Sequence, residues 1–200
     1  MPRTEHLSNV NPNHIYALNA QVKYTHHGPN MTTAVIQDEN VQSKIKIPHS
    51  LNNIREEIEA GINYHFGYCY IAPNGWIKAR NPDNTIRPSE EHGGAVQQPM
   101  TLSDIANNSQ SLNGHYLTTL LFVVKVNESQ QIVKHGKNLS MCILNCYANG
   151  YMVDVTLWNS DLPIGDLANK WIVFSGFRLK KLVDWKFVFV SSVYSKIAPY

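Results

Sequence analysis

The sequence predicts an all-β protein made of two five-stranded barrels in tandem, each with a short helix between its third and fourth strands. Short segments of alternating apolar and polar residues, which are typical of half-buried strands, recur along the 200-residue chain. Turn residues bound these segments, and the same order of elements occurs twice. A hydrophobic content of 43% is enough for packed cores.

The first set of elements predicts a barrel over residues 8–82. Its first three strands are HIYALNAQVKYT (14–25), MTTAVIQD (31–38) and VQSKIKIP (41–48). SLNNIREEIEAG predicts a helix that Ser50 caps and Gly61 ends. The last two strands are INYHFGYCYIAP (62–73) and GWIKAR (75–80), which flank the turn PNG.

The second set predicts a barrel over residues 113–200. Its first three strands are YLTTLLFVVKVNE (116–128), LSMCILNCYA (139–148) and YMVDVTLW (151–158). DLPIGDLANK (161–170) predicts the short helix. The last two strands are WIVFSGFRLKKL (171–182) and DWKFVFVSSVYS (184–195).

A long stretch without periodic apolar spacing separates the two sets. Residues 83–112 are rich in Pro, Gly, Ser, Asn and Gln, and this composition predicts a linker. Within it, TLSD at residues 101–104 resembles a capping box with Asp in place of Glu, so a short helix is predicted over 101–106.

Five strands with one helix between the third and fourth are the order of the OB-fold. Closing such short strands into a barrel removes most of their exposed edges. OB-folds bind oligonucleotides or oligosaccharides on one face and its loops, so the fold itself suggests a ligand class.

Composition narrows the class of protein further. Three cysteines are too few for a disulfide framework, and we find neither a secretory signal nor an apolar run long enough to span a membrane. We therefore expect an intracellular protein. Lys and Arg against Asp and Glu count 8 to 9 in residues 1–100 and 9 to 6 in residues 101–200, which is a mild basic excess.

The second half resembles the OB domains of the replication protein A large subunit, over about residues 114–197. The resemblance rests on SMCILNCYANGYMVDVTLWN and on WIVFSGFRLKKLVDWKFVFVSSVYSKI, in which VTLWN ends the third strand and serines precede an isoleucine. It implies that Trp158 stacks on a base. A second stacking aromatic is usual in the hairpin between strands four and five, but here Lys180, Lys181 and Leu182 stand at its tip, with Trp185 nearby.

Alternation gives an independent interpretation of the third strand. Val153, Val155 and Leu157 point into the barrel, so Thr156 and Trp158 point outward. An outward indole supplies a surface for base stacking. The alternative is that Trp158 packs beneath the following helix or against the first barrel.

A basic group in the second half could neutralise phosphates on one wall of a groove. It consists of Arg178, Lys180, Lys181 and Lys186, and the barrel hypothesis puts it beside Trp158. The alternative is a solvated hairpin. Trp185 is open to either interpretation.

The first half carries a similar pattern. Trp76, Lys78 and Arg80 share one face of the fifth strand, and Lys44 with Lys46 share one face of the third. An aromatic followed by cations suits a single-stranded nucleic acid groove. The alternative is that these lysines only protect the strands against edge pairing.

The remaining patterns are weaker. Cys142 and Cys146 could form half of a zinc site but are better explained as buried thiols. Neighbouring His26 and His27 are better explained as solvated. No catalytic motif is present, so we expect no enzyme activity, no cofactor and no metal.

We therefore expect a single-stranded DNA-binding protein, with RNA as a second candidate ligand. Family resemblance suggests a nuclear location and other subunits of a replication, repair, recombination or telomere complex as partners. The alternative is a scaffold whose barrels bind other proteins and bind nucleic acid weakly or not at all.

Overall fold

The computed structural model describes residues 4–12, 14–39, 41–49, 58–79, 86–89, 98–134, 136–159, 165–183 and 186–200. The chain divides into two compact units, residues 1–97 and residues 98–200. Each unit contains its own barrel of five strands. No helix of the described residues is long and apolar enough to cross a membrane.

The first barrel closes through strands two to six of the chain. The strands of the first unit are β1 (Thr4–Glu5), β2 (Tyr16–His27), β3 (Met31–Asp38), β4 (Val41–Pro48), β5 (Asn63–Ile71), β6 (Ile77–Ala79) and β7 (Ile86–Pro88). The barrel order is β2-β3-β4-β6-β5, and β5 pairs back with β2. β4 and β6 are parallel, whereas the other barrel pairs are antiparallel.

The second barrel repeats this order. Its unit contains α1 (Leu102–Asn107), β8 (Tyr116–Val126), β9 (Gln130–Lys134), β10 (Lys137–Ala148), β11 (Tyr151–Trp158), β12 (Lys170–Lys181), β13 (Phe187–Val190) and β14 (Lys196–Pro199). The barrel order is β8-β10-β11-β13-β12, and β12 pairs with β8. β11 and β13 form the single parallel pair of the barrel.

The ten predicted barrel strands are confirmed, and their order is that of an OB-like barrel. The short strands β1, β7, β9 and β14 were not predicted. β9 forms a hairpin with the start of β10 and extends the connection between the first two strands of the second barrel. β14 adds to β12, outside the barrel order.

Alternation correctly predicted the core of the second barrel. Val153, Val155 and Leu157 are buried in one cluster with Phe189. Phe187 is partly buried against the same cluster. Burying each large apolar side chain contributes about 1.5–3 kcal/mol, so this strand is strongly held in its register.

The short helix predicted near residue 101 is confirmed as α1. The Thr101 hydroxyl accepts a hydrogen bond from the Asp104 amide (3.1 Å) and donates to the Asp104 carboxylate (2.6 Å). Leu102 and Ile105 are fully buried in the core of the second barrel. Residues 98–112, which the sequence assigned to the linker, therefore belong to the second unit. Met100 and Leu112 pack against the same core, so four apolar side chains anchor this polar segment.

The helices predicted between the third and fourth strands are not shown. Residues 50–57 of the first predicted helix and residues 161–164 of the second lie outside the described residues. The described remainder forms no helix. Leu167 nevertheless packs into the second core, so this connection is anchored to the barrel.

The two sequence motifs of the family resemblance meet at one end of the second barrel. The Trp158 amide donates to the Ser191 hydroxyl at 2.8 Å. The Ser192 and Ser195 hydroxyls both donate to the Gly176 carbonyl at 3.0 Å. The serines after the fifth strand thus link the end of the third strand and the middle of the fourth.

Gly176→Ala should destabilise the second barrel strongly. Gly176 has a φ of +70°, and an added Cβ would lie 2.3 Å from the Tyr194 carbonyl oxygen. We expect a loss of about 3 kcal/mol in the free energy of unfolding, because the clash adds to the cost of a left-handed backbone. Urea unfolding followed by circular dichroism measures it.

Gly150→Ala is the matched control. Gly150 has a φ of +86° but nothing within 4 Å of its added Cβ, so only the backbone cost of about 1 kcal/mol applies. Equal losses for the two variants would contradict the close contact at Gly176.

Candidate nucleic-acid interface

In both barrels the third strand and the fifth strand present one continuous outer face. The parallel pairs Ile45 with Ile77 and Val155 with Phe189 lie at equivalent positions and point into the cores. The residues on either side of these pairs therefore point outward. In OB-folds the ligand lies on the face of strands two and three and on the loops between strands one and two and between strands four and five, so the third strand belongs to that face.

In the first barrel this face carries an indole with two cations against it. The Lys46 ammonium lies 4.5 Å from the centre of the Trp76 ring, and the Lys44 ammonium lies 5.0 Å from it. Both distances are within the range of cation–π attraction. Trp76 is the last residue of the loop between β5 and β6. Because β6 pairs with β4, this position places the indole against the lysines of β4.

Two more side chains extend this group. In the strand register Lys78 lies beside Lys46 on one side and beside Tyr70 of β5 on the other. All are partly exposed. We call Lys44, Lys46, Tyr70, Trp76 and Lys78 the Trp76 cluster. It combines two aromatic rings with three cations, as a groove for single-stranded nucleic acid requires.

The equivalent face of the second barrel has different chemistry. Counting from the core pairs, Asp154 stands where the first barrel has Lys44, and Thr156 stands where it has Lys46. Asp154 accepts a hydrogen bond from the Asn145 amide at 2.8 Å. Asn127 in turn donates to Asn145 at 3.0 Å. A carboxylate therefore occupies the middle of this face.

Trp158 lies at the end of this face. It is the last residue of β11, it is half-buried, and its register partner on β10 is Met141. The outward direction predicted for Thr156 and Trp158 agrees with their partial exposure, since their neighbours Val155 and Leu157 are buried.

A cleft of about 480 Å³ lies on the second barrel, and Met141, the register partner of Trp158, is one of its lining residues. It lies between β10 and the connection that follows β8. Its lining residues are Lys125, Val126, Asn127, Glu128, Gln130, Met141 and Ile143. The cleft offers one cation, one anion and two amides beside three apolar side chains.

The hairpin between β12 and β13, which carries the basic group Arg178, Lys180, Lys181 and Lys186, does not lie beside Trp158. Lys180 pairs with Val188, and Val188 pairs with Asp154, four residues before Trp158. At about 3.3 Å per residue, the two sites are roughly 13 Å apart along β11. The parallel pairing causes this separation, because it brings the hairpin to the start of β11 while Trp158 ends it.

The residues of the basic group differ in their exposure and contacts. Arg178 and Lys180 are exposed on the outer side of β12. The Arg178 guanidinium donates to the Gly114 carbonyl at 3.3 Å. Lys181 is partly buried and Lys186 is exposed. Trp185 and, in the first barrel, Arg80 lie outside the described residues.

Sequence reasoning missed two features of these faces. Tyr70 was assigned to a strand but not to the site, although its alternation with the buried Cys69 indicated an outward ring. The cleft at Met141 was missed because the hairpin of β9 was not predicted. The polar run NESQQ at 127–131 was its one visible signal.

Within the described ranges, the cysteines and histidines form no comparable site. Cys69, Cys142 and Cys146 are free and buried, as expected. Burial raises the pKa of Cys69 to about 12, and burial with the Asp154 charge raises the pKa of Cys146 to about 12. Among the described residues, no three His, Cys, Asp or Glu side chains are arranged to hold a metal.

Solved structures share the fold of this chain. A replication protein A heterotrimer bound to single-stranded DNA matches with a TM-score of 0.53 and 11% identity, over 98% of this chain and 51% of that chain. The tetrameric p202 HIN2 matches with a TM-score of 0.57 and 8% identity, over 98% and 100%. A murine DNA binding protein bound with double-stranded DNA matches with 0.55 and 11%, over 92% and 96%.

These likenesses show the fold, since all three identities are low. The chain spans about half the length of the replication protein A chain that it matches. No protein-family model matches the sequence, and no curated protein does.

The lysines of the Trp76 cluster should attract anions to Trp76. We expect iodide to quench part of the tryptophan fluorescence more strongly in the wild-type protein than in Lys44→Gln with Lys46→Gln, because those two ammonium groups lie against the ring. Quenching by neutral acrylamide should change little. Stern–Volmer titrations with both quenchers measure this.

A Trp76→Phe background supplies the control. There the two lysine substitutions should leave iodide quenching unchanged, since the ring that Lys44 and Lys46 contact has been removed. An equal change in both backgrounds would contradict the observed ring contacts.

Proposed function

We propose that the chain binds single-stranded nucleic acid, with DNA as the first candidate, and does no chemistry on it. The observation that carries the proposal is the Trp76 cluster, in which the Lys44 and Lys46 ammonium groups lie within 5.0 Å of the Trp76 ring centre. Lys78 and Tyr70 continue the same face.

Binding would exchange one set of contacts for another. In the free protein the two ammonium groups lie over the Trp76 ring, and each cation–π contact at an exposed site contributes roughly 0.5–1 kcal/mol. Stacking of a base contributes roughly 1–3 kcal/mol, and an ammonium gains further by contacting a phosphate. A base can therefore displace the lysines from the indole while the lysines turn to the backbone of the ligand.

The second barrel would extend the path with weaker contacts. Trp158 supplies a second stacking surface, and the hairpin with Lys180, Lys181 and Lys186 supplies cations at the other end of the face. Asp154 between them repels phosphate, so this face favours contact with base edges over contact with the backbone. Tandem linkage raises the total affinity through effective concentration.

The fold and the aromatic rings together support a single strand as the ligand. Structures with this fold include a protein bound to single-stranded DNA and one bound to double-stranded DNA. An indole can stack only on a base that is not already stacked on both faces. We extend the proposal to a nuclear role in replication, repair, recombination or telomere maintenance, with other subunits as partners.

A scaffold remains the second candidate for the second barrel. Its face carries Asp154 where the first barrel carries Lys44, and several of its outward apolar side chains are exposed. A barrel with this surface would bind protein while the first barrel binds nucleic acid.

Trp76→Ala should weaken binding to a fluorescent oligo(dT) roughly five- to 150-fold, which corresponds to the loss of one stacked base. Fluorescence polarisation at low salt measures the dissociation constant. Trp76→Phe should retain most of the affinity because it keeps an aromatic face. Trp158→Ala should cause a smaller loss than Trp76→Ala.

Three outcomes would contradict this proposal. A loss with Trp158→Ala but not with Trp76→Ala would move the site to the second barrel. If the protein bound duplex as tightly as single strands, and Trp76→Ala left both affinities unchanged, stacking of a base on Trp76 would be excluded. Absence of binding to single-stranded DNA and RNA would favour the scaffold.

Replacing Lys44 and Lys46 by Gln should reduce the salt dependence of binding. The slope of log affinity against log salt should fall by about 0.7 for each lysine that neutralises a phosphate. Titrations at several salt concentrations measure the slope. Lys196→Gln is the control, because it removes an exposed lysine from β14, outside both barrels; an equal fall there would show that only overall charge matters.

A further inference from the structure

A row of large apolar side chains crosses the outer surface of the second barrel. In the strand register Trp171 of β12 lies beside Phe122 of β8, Phe122 beside Tyr147 of β10, and Tyr147 beside Met152 of β11. The rings of Phe122 and Trp171 meet edge to face with centroids 5.6 Å apart. Neighbouring strands are about 4.8 Å apart, so this apolar row is about 14 Å long.

The apolar row is open to solvent. Trp171 is 43% exposed, Tyr147 is 41% exposed and Met152 is 65% exposed. Val124, two residues after Phe122 on β8, is exposed as well. Single exposed apolar residues are ordinary, but here three exposed side chains share one register row with the partly exposed Phe122, and together with Val124 they form one patch.

The size of the patch fits one side of a protein interface. Aromatic side chains bury 150–250 Å² each when covered, so the exposed parts of the row and Val124 amount to about 400 Å². A standard interface covers about 800 Å² per partner, of which a little over half is apolar. The row therefore supplies most of the apolar area that one partner needs.

The charges beside the row are arranged so that two copies of this surface would be complementary to each other. The next outward positions on β8, β10 and β11 are Lys125, Asn145 and Asp154, which are register neighbours. From β8 to β11 the side chains are therefore positive, neutral and negative. A two-fold rotation about an axis along β10 reverses this order in the second copy. Two copies that meet through this face would thus set Lys125 against Asp154. A net charge of only +2 adds little repulsion.

A single strand of nucleic acid fits this surface less well. A groove for single strands needs cations that follow the backbone. Here Asp154 flanks the row on one side. Lys170, next to Trp171, is already paired with Asp166 at 2.6 Å.

We propose that the apolar row is the contact surface of a homodimer whose two-fold axis runs along the strand direction above β10. Tyr147 then meets Tyr147 of the second copy, and Phe122 meets Met152 of the second copy. Lys125 pairs with Asp154 of the second copy at the polar rim, and each such contact occurs twice. This inference does not depend on nucleic-acid binding.

Sedimentation equilibrium of the full chain without nucleic acid tests the dimer. We expect the wild-type protein to approach twice the mass of one chain as concentration rises. Tyr147→Ser with Met152→Ser should raise the dimer dissociation constant roughly tenfold or more, because the side chains at the centre of an interface dominate binding. Val133→Ser with Val193→Ser removes two valines that are 72% and 61% exposed elsewhere on the same unit, and should leave the mass unchanged.

Charge reversal tests the orientation of the two copies. Lys125→Glu and Asp154→Lys should each weaken the dimer severalfold, and the two substitutions together should restore it, because the pair re-forms with its signs exchanged. Circular dichroism checks that each variant is folded. A wild-type protein that stays at the mass of one chain would overturn the proposal, as would an equal effect of the valine control. Loss of oligo(dT) affinity in the Tyr147 and Met152 variant of a monomeric protein would instead make the row a nucleic-acid surface.

Discussion

The parallel pairing of the third strand with the fifth is the constraint on which both barrels and both candidate faces depend. Ile45 beside Ile77 and Val155 beside Phe189 are buried pairs at the centre of this pairing. Because side chains alternate, burying these pairs forces their neighbours outward on both strands at once. A shift of one residue would bury Lys44 and Lys46 and expose the isoleucines, so the apolar core determines where the cations stand.

The same constraint explains why one backbone design presents two different surfaces. The residues at outward positions of the third and fifth strands contribute little to closing the barrel. Their chemistry can therefore differ between the two barrels while the core pairs remain apolar. The first barrel uses them for Lys44, Lys46, Trp76 and Lys78. The second uses them for Asp154, Thr156, Val188 and Val190. Under the proposed function, this contrast would give phosphate contact to the first barrel and leave the second for base edges or protein.

The sequence predicts the strands well because alternation is a local signal, and Val153, Val155 and Leu157 are buried as their spacing indicates. It also identified Trp76, Lys44 and Lys46 as outward residues, but as separate groups. Their meeting depends on the pairing of strands that are about 30 residues apart, which no local pattern encodes. The same pairing separates Lys180 from Trp158, which the sequence had placed together. Residues 98–112 were assigned to a linker for a related reason, since two buried side chains of α1 outweigh a polar composition.

The contacts of Trp76 also bear on how a nearly neutral chain can bind a polyanion. A net charge of +2 gives little long-range attraction, so the affinity must come from local contacts. In the free protein the Trp76 ring restrains Lys44 and Lys46 on the ligand face and opposes the repulsion between them. Under the proposed function, these side chains would lose less freedom on contact with a phosphate than unrestrained lysines do, and the indole that held them would become available to a base. One aromatic ring would then prepare both the charge and the stacking surface, and a few residues would accomplish what a strongly basic surface achieves in other proteins.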